Sequence, residues 1–295
     1  MLWQNMENVS SNHSYPQDFL RIKRAQELIP LDFNTRRKEE YNDEIHVNEL
    51  RSALKTCHNT APGKDGIHYA MLKNLSDGAI EMLLVVYNRV FLEGLFPSVW
   101  SEAILLPFLK PSKDPHEPSS YRPIALTSCV CKVLEKIINA RLSCVLDGRD
   151  LLTPYQYGFR KMRNTLDTLV RLESHILVSF ARKKQLVAVL FDIEKAYATT
   201  WKYNILGVIH RFGIRGPMAF FIGNFLKNRT FQVKIGSCKS VPCEQEQGTP
   251  QGSVLSCTLF SIAINDIVKD VPDDICKSLT WMIWLYISHL RVLPP

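Results

Sequence analysis

Leu186-Val-Ala-Val-Leu-Phe-Asp192 breaks the pattern of the chain around it. Six consecutive apolar residues of strand length, with no helical period, predict a strand buried on both faces. The run ends in an aspartate, and the residues beyond it read as a helical segment through Trp201 and Ile209. A carboxylate at the exit of a buried strand is the first feature with chemical content. Taken alone, Asp192 could equally be a helix N-cap, a role that Asp often fills.

Upstream of that strand, Leu166, Leu169, Leu172, Ile176 and Leu177 recur at helical spacing over 165–182. Before them come a basic turn, Gln156-Tyr-Gly-Phe-Arg-Lys161, and a long amphipathic helix over 129–146. Ala103-Ile-Leu-Leu-Pro-Phe-Leu109 and Tyr121-Arg-Pro-Ile-Ala-Leu126 read as the arms of a hairpin, with Lys110 and Arg122 near its loop. Further back lie helices over 70–75 and 79–91, the turn Thr60-Ala-Pro-Gly-Lys-Asp-Gly66, and a helix carrying Val47, Leu50, Ala53 and Leu54. Residues 1–44 are polar and of mixed charge, and they read as solvated helix or linker without chemistry. Downstream, 231–235 and a partner near Val241 read as strands. The loop Gln247-Gly-Thr-Pro-Gln-Gly-Ser253 follows, and then an apolar helix over 255–268.

At 295 residues the chain has room for about two domains, and its 46% hydrophobic and 22% charged content exclude a disordered or staple-dependent fold. A formal charge of +7 favours polyanionic partners. Eight cysteines lack finger spacing, which argues against zinc, and several sit in apolar segments as reduced thiols would. The start has no signal-peptide pattern, and the longest nearly apolar run, Leu279 to Leu290, is too short to span a bilayer. These features predict an intracellular protein, nuclear or cytoplasmic, with no membrane contact.

Singly, each loop has a bland reading: turn residues, solvated cations, a cap before a helix. Their order points elsewhere. Ala61-Pro-Gly-Lys-Asp-Gly-Ile67, Leu109-Lys-Pro111, Tyr121-Arg-Pro-Ile124, Gln156-Tyr-Gly-Phe-Arg160, Phe191-Asp-Ile-Glu-Lys-Ala-Tyr197 and Gln247-Gly-Thr-Pro-Gln-Gly-Ser253 resemble the successive blocks of a non-LTR (LINE-type, jockey-like) retrotransposon reverse transcriptase. The resemblance covers about 45–278. It implies an α+β right-hand polymerase whose antiparallel palm sheet is backed by helices and is incomplete at the C-terminus. The implied division is an extension over 1–44, fingers over 45–185, a partial palm over 186–278 and a tail over 279–295.

The resemblance also implies roles. Lys110 and Arg122 would grip the incoming triphosphate, as ammonium and guanidinium groups do through charge-assisted bonds. Tyr197 would lie under the sugar and exclude a 2′-hydroxyl, its plainer reading being core packing. Gln251 and Gly252 would lie along nucleotide and template. Lys64, Arg160 and Lys161 would meet template or primer phosphates, a salt-sensitive role. The family joins deoxynucleoside triphosphates to a DNA primer on an RNA template with two Mg²⁺ ions about 3.5 to 4 Å apart. Asp192 would be a metal ligand and the catalytic carboxylate, the carbonyl of Ile193 would be a second ligand, and Glu194 reads as a solvated residue.

The chain departs from the family at its second palm block, Tyr/Phe-x-Asp-Asp. In its place stands Leu279-Thr-Trp-Met-Ile-Trp-Leu-Tyr286, and no acidic residue occurs from Lys277 onward. Asp273-Asp274 is a poor substitute, since no apolar strand leads into it. Trp and Met have single codons, so Trp281-Met-Ile-Trp284 requires TGG-ATG-ATH-TGG, and reading from the third base yields Asp-Asp followed by Leu or Met. A frameshift near Leu279 would thus have destroyed the block and left a nonsense tail. Ala198 also replaces an aspartate common in relatives, and neither thumb nor endonuclease is expected. The resulting expectation is a reverse transcriptase domain by descent, impaired in this copy. The alternatives are a non-catalytic nucleic-acid-binding remnant and, less in keeping with the blocks, a group II intron maturase.

Overall fold

A computed structural model describes residues 2–280 with their side chains and the backbone of 283–290. The chain begins with α1 (Leu2–Val9), α2 (Gln17–Glu27), α3 (Val47–Lys55), α4 (Tyr69–Lys73) and α5 (Asp77–Leu92). The hairpin β1 (Glu102–Leu109) and β2 (Tyr121–Leu126) leads to the helices α6 (Cys129–Gly148) and α7 (Thr165–Ala181), then β3 (Gln185–Phe191). Helices α8 (Ala196–Thr199), α9 (Lys202–Arg211) and α10 (Pro217–Leu226) precede β4 (Thr230–Ile235), β5 (Cys238–Lys239) and β6 (Cys243–Glu244). The last elements are α11 (Leu255–Ala263), β7 (Cys276–Leu279) and β8 (Ile283–Leu290). Trp281 and Met282, and with them half of the expected tail signature, lie outside the described residues. The fold is mixed α/β, and among the described residues no helix is long and apolar enough to cross a membrane.

Two compact units divide the chain, one of residues 1–148 with 195–260, the other of 149–194 with 261–295. They cut across the segments that the sequence suggested. The first unit holds a sheet ordered β2-β1-β4-β5, with β6 also on β4. β1 and β2 run antiparallel from Ile104↔Leu126 to Leu109↔Tyr121, whereas β1 and β4 are parallel from Glu102↔Thr230. The strand over 230–235, expected in the palm, therefore joins the hairpin that carries Lys110 and Arg122. α6 buries Val133, Leu134, Ile137, Ile138 and Leu142 at helical spacing, each such burial worth about 1.5 to 3 kcal/mol. Phe91, Phe96, Trp100, Phe221 and Phe225 pack edge to face beside them, with ring centroids 5.7 to 6.5 Å apart.

Residues 2–44 are not a solvated linker. Met6 is buried, and Leu2 and Trp3 pack with it on Ala103, Ala125, Phe231, Val233 and Cys243 of the sheet. Leu20, Phe33 and Tyr41 are buried as well. The few apolar residues of this segment are spaced among many polar ones, so average polarity conceals the face that docks.

The second unit holds an antiparallel sheet ordered β3-β8-β7. α7 starts at a reciprocal cap: Asn164 Oδ1 accepts from the Asp167 amide at 3.1 Å, and Asp167 Oδ2 accepts from the Asn164 amide at 2.8 Å. β3 was expected to be buried on both faces, and this is corrected: Val187, Val189, Leu190 and Phe191 are 45 to 48% exposed. The reason is position. β3 is an edge strand of a three-stranded sheet, and its apolar composition does not by itself supply a cover.

Candidate functional site

β3 delivers Asp192, an exposed carboxylate, one residue past the end of the ladder. Phe191 pairs with Ile283, and Ile283 pairs with Leu279 across the β7/β8 hairpin. Leu279 and Ile283, the facing ends of β7 and β8, therefore lie at the same end of the sheet as Phe191 and the Asp192 that follows it. The side chain of Ile193 packs with Val268, Leu279, Tyr155 and Val271. Glu194 is exposed.

The segment Tyr155-Gln-Tyr-Gly158 grips this hairpin. Leu279 donates its amide to the Tyr155 carbonyl at 2.8 Å and accepts from the amides of Tyr157 at 2.7 Å and Gly158 at 3.1 Å. A Cβ on Gly158 would stand 2.8 Å from the Thr280 carbonyl oxygen, which explains the glycine. Arg163 stacks on the Tyr157 ring at 5.3 Å, and Arg171 donates to the Tyr157 hydroxyl. Arg160 donates to the Thr153 carbonyl at 3.3 Å, and Lys161 is exposed on the same turn.

A pair of divalent ions needs several carboxylates on one spot. Among the described residues no group of three His, Cys, Asp or Glu side chains could hold a metal ion. The sequence between β7 and β8, Thr280-Trp-Met282, has no acid. Asp273-Asp274 cannot substitute. It precedes Cys276, which is level with Tyr286 and through it with Ala188, four residues or about 13 Å back along β3 from Asp192. Asp273 moreover pairs with Lys277 at 3.2 Å. The residues present do not fit the two-ion site.

In the first unit Lys110, Arg122, Gln251 and Gly252 lie on or beside β2. Lys110 leaves β1 with its Nζ on the Ser119 carbonyl at 2.9 Å, and Arg122 is exposed on β2 opposite Phe108. The Gln251 carbonyl accepts the Ala125 amide at 2.8 Å, which fastens the Gln247–Ser253 loop to the strand of Arg122. Gly252 has φ +127°, and a Cβ there would stand 2.7 Å from the Ala125 oxygen. Lys64 forms an ion pair with Glu102 at the start of β1. Tyr197 is half-buried, with its hydroxyl 3.4 Å from Cys257 Sγ and its ring 5.4 Å from that of Phe260. Burial, then the Cys257 neighbour, raises its hydroxyl well above the usual tyrosine range, so it stays neutral.

Sequence reading missed how this loop is braced. The Thr249 amide bonds the Tyr197 carbonyl at 2.7 Å and the Gly248 amide that of Thr200 at 2.8 Å. The N-terminal segment holds both partners. Ser10 accepts from the Gln247 amide at 2.7 Å, Asn12 donates its amide to Glu246 at 2.6 Å, and the Tyr15 hydroxyl donates to the Thr199 carbonyl at 2.6 Å. These are backbone and single side-chain contacts between distant segments, and no local pattern marks them.

Residues 109–287 match the family model described as reverse transcriptase (RNA-dependent DNA polymerase). The chain is 33% identical over 224 residues to a probable RNA-directed DNA polymerase from transposon BS of Drosophila melanogaster, covering 76% of this chain and 25% of that protein. It is 31% identical over 213 residues to the RNA-directed DNA polymerase from mobile element jockey of the same species, covering 72% and 23%. A Pol polyprotein from the type-1 retrotransposable element R2 of Popillia japonica is 26% identical over 224 residues, covering 75% and 30%. The chain thus spans about a quarter of the length of such relatives.

Proposed function

The chain belongs to the reverse transcriptase (RNA-dependent DNA polymerase) family, as a domain of the non-LTR retrotransposon kind, and from that premise we propose that it binds RNA template, DNA primer and deoxynucleoside triphosphate but does not copy. In this reading β1, β2 and the helices before them act as fingers, and the β3/β8/β7 sheet acts as palm. Lys110 and Arg122 hold the triphosphate through charge-assisted bonds. Tyr197 lies under the sugar, and Gln251 and Gly252 lie along the base pair. Lys64, Arg160 and Lys161 meet the phosphates of template and primer inside the cell.

The observation that supports this reading is the register of β3, β8 and β7, which sets the ends of β7 and β8 level with Phe191, in a sequence that has no acid from Lys277 onward. One carboxylate does not gather two Mg²⁺ ions. No chemical step is assigned to the metal in this chain.

Binding of a fluorescent RNA–DNA duplex to the full chain, followed by anisotropy over a salt series, tests the nucleic-acid half of the reading. The affinity is expected to fall linearly on a log–log plot with salt and to be independent of sequence. Lys161→Ala is expected to reduce the slope by about 1. Absence of binding at low salt, or binding indifferent to salt, would overturn it.

A further inference from the structure

Glu135 lies on α6, 1% exposed and outside every motif discussed so far. One of its carboxylate oxygens collects donors from three consecutive residues: the hydroxyl of Ser253 and the amides of Val254 at 2.8 Å and Leu255 at 3.4 Å. The other oxygen receives the Cys131 thiol at 3.4 Å. An ionised carboxylate is tolerated in a protein interior only when its lone pairs are met and its charge is balanced. The first turn of α11 helps with the balance, because its unpaired amides carry partial positive charge. The fully buried guanidinium of Arg229 lies within electrostatic reach of Glu135 and adds a full one.

The three donors directly follow Gln251 and Gly252. The loop is closed on itself by Pro250, whose carbonyl accepts from the Ser253 amide at 3.1 Å and the Ser256 hydroxyl at 2.8 Å. Its near side is fastened to β2 through the Ala125 amide on the Gln251 carbonyl at 2.8 Å. Its far side ends on Glu135. A buried acid on one helix thus sets the height at which two exposed residues stand beside the strand of Arg122.

We infer that Glu135 is a positioning residue of the nucleotide site, fixing Gln251 and Gly252 against β2 without touching the nucleotide. This rests on the reading of Lys110, Arg122, Gln251 and Gly252 as nucleotide groups. A carboxylate suits the task better than an amide. Its oxygen accepts all three donors with full charge, whereas a glutamine oxygen accepts them more weakly and turns an N–H₂ group toward Cys131.

The test uses the full chain with two probes, a fluorescent deoxyadenosine triphosphate and the RNA–DNA duplex. Glu135→Gln preserves volume and is expected to weaken nucleotide binding about tenfold, the equivalent of one charge-assisted bond, while duplex binding stays within about twofold. Ser253→Ala removes one donor and keeps the charge, and it is expected to shift nucleotide binding in the same direction by about threefold. It carries the test if Glu135→Gln loses its cooperative melt. A purely structural role would lower the melting temperature of both variants and leave the ratio of the two affinities unchanged, which would overturn the inference. Failure of the wild-type chain to bind the nucleotide, with duplex binding intact, would instead identify the nucleotide reading as the part that fails, and the inference would fall with it.

Discussion

Lys202 places an ammonium group where burial penalises it. Its Nζ donates to the Gln245 carbonyl, tying α9 to the segment before the Gln247–Ser253 loop. Burial, then the nearby Arg229 cation, lowers its pKa from 10.5 to about 8 against the opposing pull of Glu244 and Glu246. The unfolded chain keeps this proton up to its ordinary value, so between about pH 8 and 10.5 unfolding takes up a proton and stability rises with pH. Lys202→Met removes the effect. Its stability relative to wild type is therefore expected to fall by about 1.4 kcal/mol per pH unit across that window, and urea melts of both proteins at pH 7.5 and 9.5 measure it. The thiols and tyrosines that also titrate there are common to both proteins and cancel. A constant difference would show that the ammonium is not penalised. Nothing in the sequence singles out Lys202 or Glu135, because their surroundings come from segments far apart in the chain. Asp192, Lys110 and Arg122 stand out in sequence because each lies in a short run whose adjoining residues form a recognisable block.

Elements were legible where one run of residues contains its own periodicity. The hairpin of β1 and β2, the long α6 and α7, and β3 fall close to the spans that apolar spacing and turn residues suggest. α10 carries no such mark: Pro217–Leu226 is apolar nearly all round, as expected for a helix inside a core rather than on its surface. Cover is a different property from periodicity. β3 has the composition of a central strand and the position of an edge, because which neighbours a sheet acquires depends on distant segments. The same holds for the N-terminal segment, where Met6 and Tyr15 supply the anchoring contacts. Met6→Ala is expected to lower unfolding stability by about 2 kcal/mol, and Tyr15→Phe by about 1 kcal/mol through the lost bond to Thr199. Chemical denaturation midpoints measure both. A solvated linker would show neither loss, and that outcome would contradict the packing described for residues 2–44.

At the scale of the molecule, the chain folds as two compact units, each with its own sheet. The first holds the hairpin of Lys110 and Arg122 and the Gln247–Ser253 loop fastened to it. The second holds β3 paired with the backbone of 283–290, and the sequence has no acid from Lys277 onward. A continuous apolar stretch, Ile283-Trp-Leu-Tyr-Ile287, is compatible with strand formation. Backbone pairing asks little of side-chain identity, whereas coordination of hard cations requires oxygen ligands. The most direct test is extension of a DNA primer on an RNA template by the purified full chain, with Mg²⁺ or Mn²⁺ and all four deoxynucleotides. Product no greater than that of an Asp192→Ala control is the expected result. Steady accumulation of complementary DNA well above that control would contradict the account.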